Sequence, residues 1–147
     1  MDTIESLARD ERSARVVLAT GSEPGDAITG RLLASLGAVA TVRLATSASV
    51  PSGIDRVEAD LWRRRVVPRL SVESARGALG DTDRLGLRVL VPGDELWPGG
   101  LADLREHAPV ALWVKGEEVL LSAPIRDRVA VVGARAVNRP RFDAAAL

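Results

Sequence analysis

The residues best suited to chemistry lie near the end of this chain, where Val129-Ala-Val-Val-Gly133-Ala-Arg135 joins an apolar, β-branched run to a glycine and an arginine. In parallel α/β folds ligands bind beyond the carboxyl ends of the strands, where backbone N–H groups freed from the sheet can meet a phosphate. Gly133 would permit close approach of the backbone, and Arg135 would pair with the anion through its guanidinium. The second and third glycines of a dinucleotide fingerprint are missing, because Ala136, Val137 and Asn138 follow. Taken alone, the pattern therefore also describes an ordinary turn with a surface arginine.

Other chemistry-bearing residues read more blandly. Arg63, Arg64 and Arg65 stand beside Trp62, a pairing able to hold a phosphate and stack a base; the competing reading puts Trp62 in the core and the arginines in water. Asp55, Glu58 and Asp60 alternate with arginines, as on a solvated helix surface. His107 is the single histidine, so no convincing histidine metal site or conventional Ser-His-Asp triad is laid out, and no metal or organic cofactor is expected. With no tyrosine, one phenylalanine and three tryptophans, the chain has few surfaces on which bases could stack.

Composition narrows the classes further. Twenty basic residues balance 20 acidic ones, so no global field gathers polyanions and any nucleic-acid contact needs a local basic patch. Lys115 is the lone lysine; the rest are arginines, suited to bidentate contacts but spread along the whole chain. The absence of cysteine removes disulfides, thiolate metal sites and cysteine nucleophiles. The mixed, acidic start Met1–Arg12 lacks the basic and apolar regions of a signal peptide, and no apolar run approaches the roughly 20 residues of a membrane span. A cytoplasmic protein is expected.

The elements that must position these residues fall into two groups. Asp2 and Glu5 suggest a capping box for a first helix reaching about Thr20. Asp26 caps a second, with Ile28, Leu32, Leu33 and Leu36 at helical spacing and Gly37 ending it. Ala38–Ala45 forms a short helical segment. Ile54, Val57, Leu61 and Trp62 mark another helix, stopped at the latest by Pro68, and Ser71–Arg84 reads as one more, interrupted by glycines. From Leu87 the pattern turns to short apolar runs, Leu87–Val91, Ala111–Val114 and Val129–Val132, with a short helix over Leu101–Glu106. Trp97 and Trp113 are expected to pack beneath this part. The fold class is α+β, with a helical domain over 1–85 and an α/β domain over 86–147. The run 129–132 is expected as a buried strand, joined with the other two in a small sheet.

Three ordered motifs carry a resemblance: Asp94-Glu-Leu-Trp97-Pro98, Leu112-Trp113-Val114-Lys115-Gly116, and Val131-Val132-Gly133-Ala134-Arg135. Together with Glu23-Pro24-Gly25-Asp26 and Leu36-Gly37-Ala38, they resemble the DNA-processing protein A family (DprA, also called Smf) over about residues 12–136. The resemblance implies a helical, sterile-alpha-motif-like (SAM-like) first domain followed by the start of a Rossmann-like domain. It also implies a non-enzymatic role in natural transformation, binding single-stranded DNA and loading a recombinase. Gly133, Ala134 and Arg135 then match the start of the family's phosphate pocket, with Ala134 where serine or threonine is common.

After Ala136 the chain departs from the family pattern, and later family motifs such as Ser-Gly-x-Ala-x-Gly-Ile-Asp are not present. The corresponding expectation is a truncated form with impaired activity. Two alternatives stand beside it. One is an inactive remnant or a helical protein-interaction module. The other is an enzyme of the nucleotide phosphoribohydrolase class, which would need acidic catalytic residues after a glycine-rich loop.

Overall fold

The computed structural model describes residues 1–132. Its local structure begins with two short polar locks. Thr3 accepts a hydrogen bond from the Ser6 amide (3.1 Å) and Asp10 from the Ser13 amide (2.8 Å), and each serine hydroxyl in turn accepts from the amide of its capping residue. The chain therefore starts two helices where the sequence suggested one: α1, Ile4–Leu7, and α2, Glu11–Gly21. The expected cap at Asp2 gives way to Thr3 and Asp10 because each is followed three residues on by a serine that returns the bond.

Asp26 caps α3, Ala27–Leu36, as its position suggested. Gly37, at φ 76°, ends α3 and starts α4, Ala38–Thr46, so the two helices meet at a bend of 115°. A positive φ of this size favours glycine. The first amide of α4, Ala38 N–H, donates to the Glu11 carboxylate at 2.7 Å, which places a negative charge at a helix start whose own capping residue has no side chain. Asp55 and Ser71 cap α5, Arg56–Val66, and α6, Val72–Arg84, with a 3₁₀ turn over Val67–Arg69 between them. Gly77 and Gly80 do not interrupt α6. No single helix among the described residues is long and apolar enough to cross a membrane.

The helical core is built around α2. Val17 and Leu18 meet Leu32 and Leu33 of α3, Val42 of α4 and Trp62 of α5, all buried. Trp62 is fully enclosed, and its indole N–H donates to the Thr29 hydroxyl at 2.9 Å. That hydroxyl donates to Asp26 at 2.6 Å, so the one polar atom of the largest core side chain is satisfied. Val57 and Leu61, which marked this helix in the sequence, face outward instead; Ala59, Trp62 and Val66 form the buried stripe.

Two strands complete a mixed α+β fold: β1, Arg88–Leu90, and β2, Leu112–Val114, paired antiparallel with Val89 opposite Trp113. Val16 of α2 packs with Val89, Val91 and Ala111 in a second small core. Between the strands, where a short helix was expected over Leu101–Glu106, Gly99–His107 forms a 3₁₀ segment broken at Arg105, which has φ 51° and ψ −124°. This segment lies against α3 so closely that a Cβ on Gly30 would sit 1.9 Å from the Glu106 carbonyl oxygen.

The expected strand at 129–132 does not form. Val129, Val131 and Val132 are 89%, 93% and 90% exposed and belong to no strand. A parallel neighbour needs a crossover connection and a free sheet edge set in register, and the sheet of the described residues holds only β1 and β2. Trp113 also differs from expectation: it is 39% exposed, and its indole N–H reaches across to Thr82 of α6 at 3.0 Å.

Candidate functional site

Gly133, Ala134 and Arg135 lie outside the described residues. The two motifs that precede them are described, and the first is centred on Asp94. Val91-Pro-Gly-Asp94 turns the chain as it leaves β1: Gly93 adopts φ 99°, the Asp94 amide donates to the Val91 carbonyl at 3.1 Å, and the Val91 amide donates to the Asp94 carboxylate at 2.8 Å. The side chain therefore closes its own turn, as aspartate does in Asx-type structure.

Arg12 of α2 completes the arrangement. Its two terminal nitrogens donate to the two carboxylate oxygens of Asp94, each at 2.8 Å, a fork-on-fork pair. One of them also donates to the Val89 carbonyl oxygen. The Arg12 guanidinium, followed by the Val91 amide, outweighs partial burial and holds the Asp94 carboxyl down to about 2. One carboxylate thus fastens the turn after β1 to the first long helix.

Three further contacts bind the helices to the β segment. Arg15 is buried, pairs with Glu11 at 2.7 Å and donates to the Val110 carbonyl at 2.8 Å just before β2. The Gly25 carbonyl lies 2.9 Å from Nδ1 of His107, at the end of the 3₁₀ segment. Trp113 meets Thr82 as described above. Trp97 is half-buried after the Asp94 turn, whose carbonyl receives the Trp97 amide at 3.0 Å. Lys115 is exposed directly after β2, followed by Gly116 at φ 106°.

The arginines are largely occupied. Every ion pair among the described residues uses arginine as its cation, which removes much of the charge a basic face would need. In the Arg63–Arg65 run, Arg63 donates to the Leu44 and Ser49 carbonyls at 2.7 and 2.6 Å and Arg65 pairs with Asp26 at 2.9 Å. Burial pushes the Asp26 carboxyl up, but the Thr29 hydroxyl and amide and the Arg65 charge together hold it below the ordinary range. Arg64 alone of the three has no partner among the described residues, and Trp62 is buried away from it. The sequence pairing of tryptophan with arginines therefore does not form a base-stacking surface.

No three His, Asp or Glu side chains of the described residues gather as a metal site. Comparison of the chain with protein-family models, with curated proteins and with solved structures finds no match.

Proposed function

We propose that the chain is a DprA-like, non-enzymatic protein that handles single-stranded DNA, its helices forming a SAM-like domain and its later segment opening a Rossmann-like one. The observation that carries this reading is the Asp94 lock. The acidic residue of the Asp-x-x-Trp-Pro element is held by the Arg12 fork and the Val91 amide, which supports reading the element as a structural corner. The Lys115-Gly116 element follows the partner strand directly, so both motifs mark the ends of one strand pair.

In this reading the chemistry belongs to Gly133, Ala134 and Arg135. A glycine and an alanine leave the backbone N–H groups open to a phosphate oxygen, and the arginine neutralises its charge. Such contacts hold the backbone of the strand without reading its sequence. The near-neutral charge of the whole chain limits this to local binding, with few counterions released. A cytoplasmic location and a recombinase partner belong to the same reading.

A mobility-shift titration with an oligothymidylate at low salt tests it. The expected result is a retarded complex that weakens with added salt and weakens further in Arg135→Ala. Failure of any complex to form at low salt removes the DNA function.

A further inference from the structure

Helix α5 turns its buried stripe, Ala59, Trp62 and Val66, into the core. At 100° per residue the opposite face carries Val57, Leu61 and Arg64 in one line, and Pro68 follows in the 3₁₀ turn. Val57 is 67% exposed and Leu61 52%, and Arg64 and Pro68 are exposed as well. Nothing in the helical fold needs apolar residues there, since Trp62 and its neighbours already anchor the helix.

The charges around this stripe are uneven. Glu58 pairs with Arg31, Asp60 with Arg63, Asp26 with Arg65 and Glu23 with Arg69, so these four carboxylates each have a cation, while Asp55 caps the helix through the Glu58 amide. Arg64, on the stripe, and Arg56, about 100° to one side of its start and next to Asp55, have no ion-pair or hydrogen-bond partner among the described residues. Beyond Arg64 the surface opens into a cavity of about 340 Å³ of mixed charge, whose wall includes Arg64, Arg65 and Arg69 together with Glu23 and Asp26, the carboxylates that pair with Arg69 and Arg65. The face is thus a short aliphatic strip with one unpaired arginine on it and a second beside its start.

We propose that this face of α5 docks an acidic amphipathic helix of a partner protein. Leucine-like side chains of the partner would cover Val57 and Leu61, and its carboxylates would meet Arg64 and, on the flank, Arg56. Aliphatic residues with no exposed aromatic ring favour such a helix over nucleic acid, which gains its sequence-tolerant affinity by stacking. Helix-in-groove recognition uses anchors at this spacing, and unpaired rim charges select the sign of the partner. The proposal is independent of DNA binding at Arg135.

The test uses the full chain and synthetic helical peptides of about four turns: one with a leucine stripe flanked by glutamates, one with lysines in their place, and one with serines for leucines. Fluorescence anisotropy at low ionic strength is expected to show binding of the glutamate peptide alone, weakened at about 0.3 M salt, where screening is strong. Val57→Asp with Leu61→Asp should weaken it at least about tenfold while leaving the unfolding midpoint unchanged, because both side chains are exposed. Arg64→Glu should weaken the glutamate peptide and improve the lysine one.

Four results would overturn the proposal. One is no binding of the glutamate peptide, and a second is equal binding of all three peptides. A third is displacement of the peptide by oligothymidylate, with oligothymidylate binding lost in Arg64→Glu; that would assign the face to nucleic acid. The fourth is a dimer in sedimentation that Leu61→Asp dissolves, which would assign it to a second copy of the chain.

Discussion

Replacing Asp94 by asparagine keeps the shape of the side chain and an oxygen for the Val91 amide but removes the charge that Arg12 grips. A carboxyl held at about 2 rather than at its ordinary 3.8 represents roughly 2 kcal/mol of stabilisation. The Arg12 side chain is 45% exposed, and solvent screening reduces the net contribution to about 1–1.5 kcal/mol. Asp94→Asn should therefore lower the melting temperature by about 3–6 °C for a chain of this size. The pH dependence has a definite sign. Because the folded value is depressed, the stabilisation is complete above pH 3.8 and is lost as pH falls through about 2. Urea unfolding of both proteins at pH 6, 4 and 3 checks this: the difference between them should be full at pH 6 and smaller at pH 3. Equal stability of the two proteins at pH 6, or a difference that grows on acidification, would refute the claim that Asp94 is a charged lock.

Four other substitutions probe the packing. Gly30→Ala brings a methyl group against the Glu106 backbone and should cost about 2–3 kcal/mol through overpacking despite the better helix propensity of alanine, read as a lower urea midpoint. Gly77→Ala and Gly80→Ala meet nothing within 4 Å, so each should stabilise α6 by about 0.5–1 kcal/mol, measured as a rise in melting temperature. Thr29→Val leaves the Trp62 indole N–H without its acceptor, while the Asp26 oxygen keeps the backbone amide of residue 29. It should cost about 1–3 kcal/mol, seen by tryptophan fluorescence as an earlier unfolding transition.

Much of the helical part was legible because its signals are local. Asp26, Gly37 and Ser71 punctuate helices through bonds to residues three or four positions away, and a reader of the sequence sees both partners at once; Asp55 caps its helix in the same way but reads in the sequence as one of several surface acids. The first helix was misread for the same local reason: Asp2–Glu5 and Thr3–Ser6 are rival caps, and the reciprocal serine bonds decide between them. Val57 and Leu61 marked a helix correctly by spacing but not its buried face, since Trp62 and Val66 at a different angle fill the core. The Asp94 turn was found as a motif, yet its partner Arg12 lies 82 residues away, and no spacing rule connects them. The run 129–132 has the composition of a strand, but composition cannot supply the neighbour that a strand must pair with.

The central claim rests on Arg135 and is tested most directly by the salt dependence of binding to a fluorescent oligothymidylate, measured by equilibrium anisotropy for the unaltered chain and for Arg135→Ala. The account predicts saturable binding at low salt whose logarithmic salt slope falls by about one when Arg135 is removed. An identical affinity and slope in the two proteins, or no binding by the unaltered chain, would contradict it.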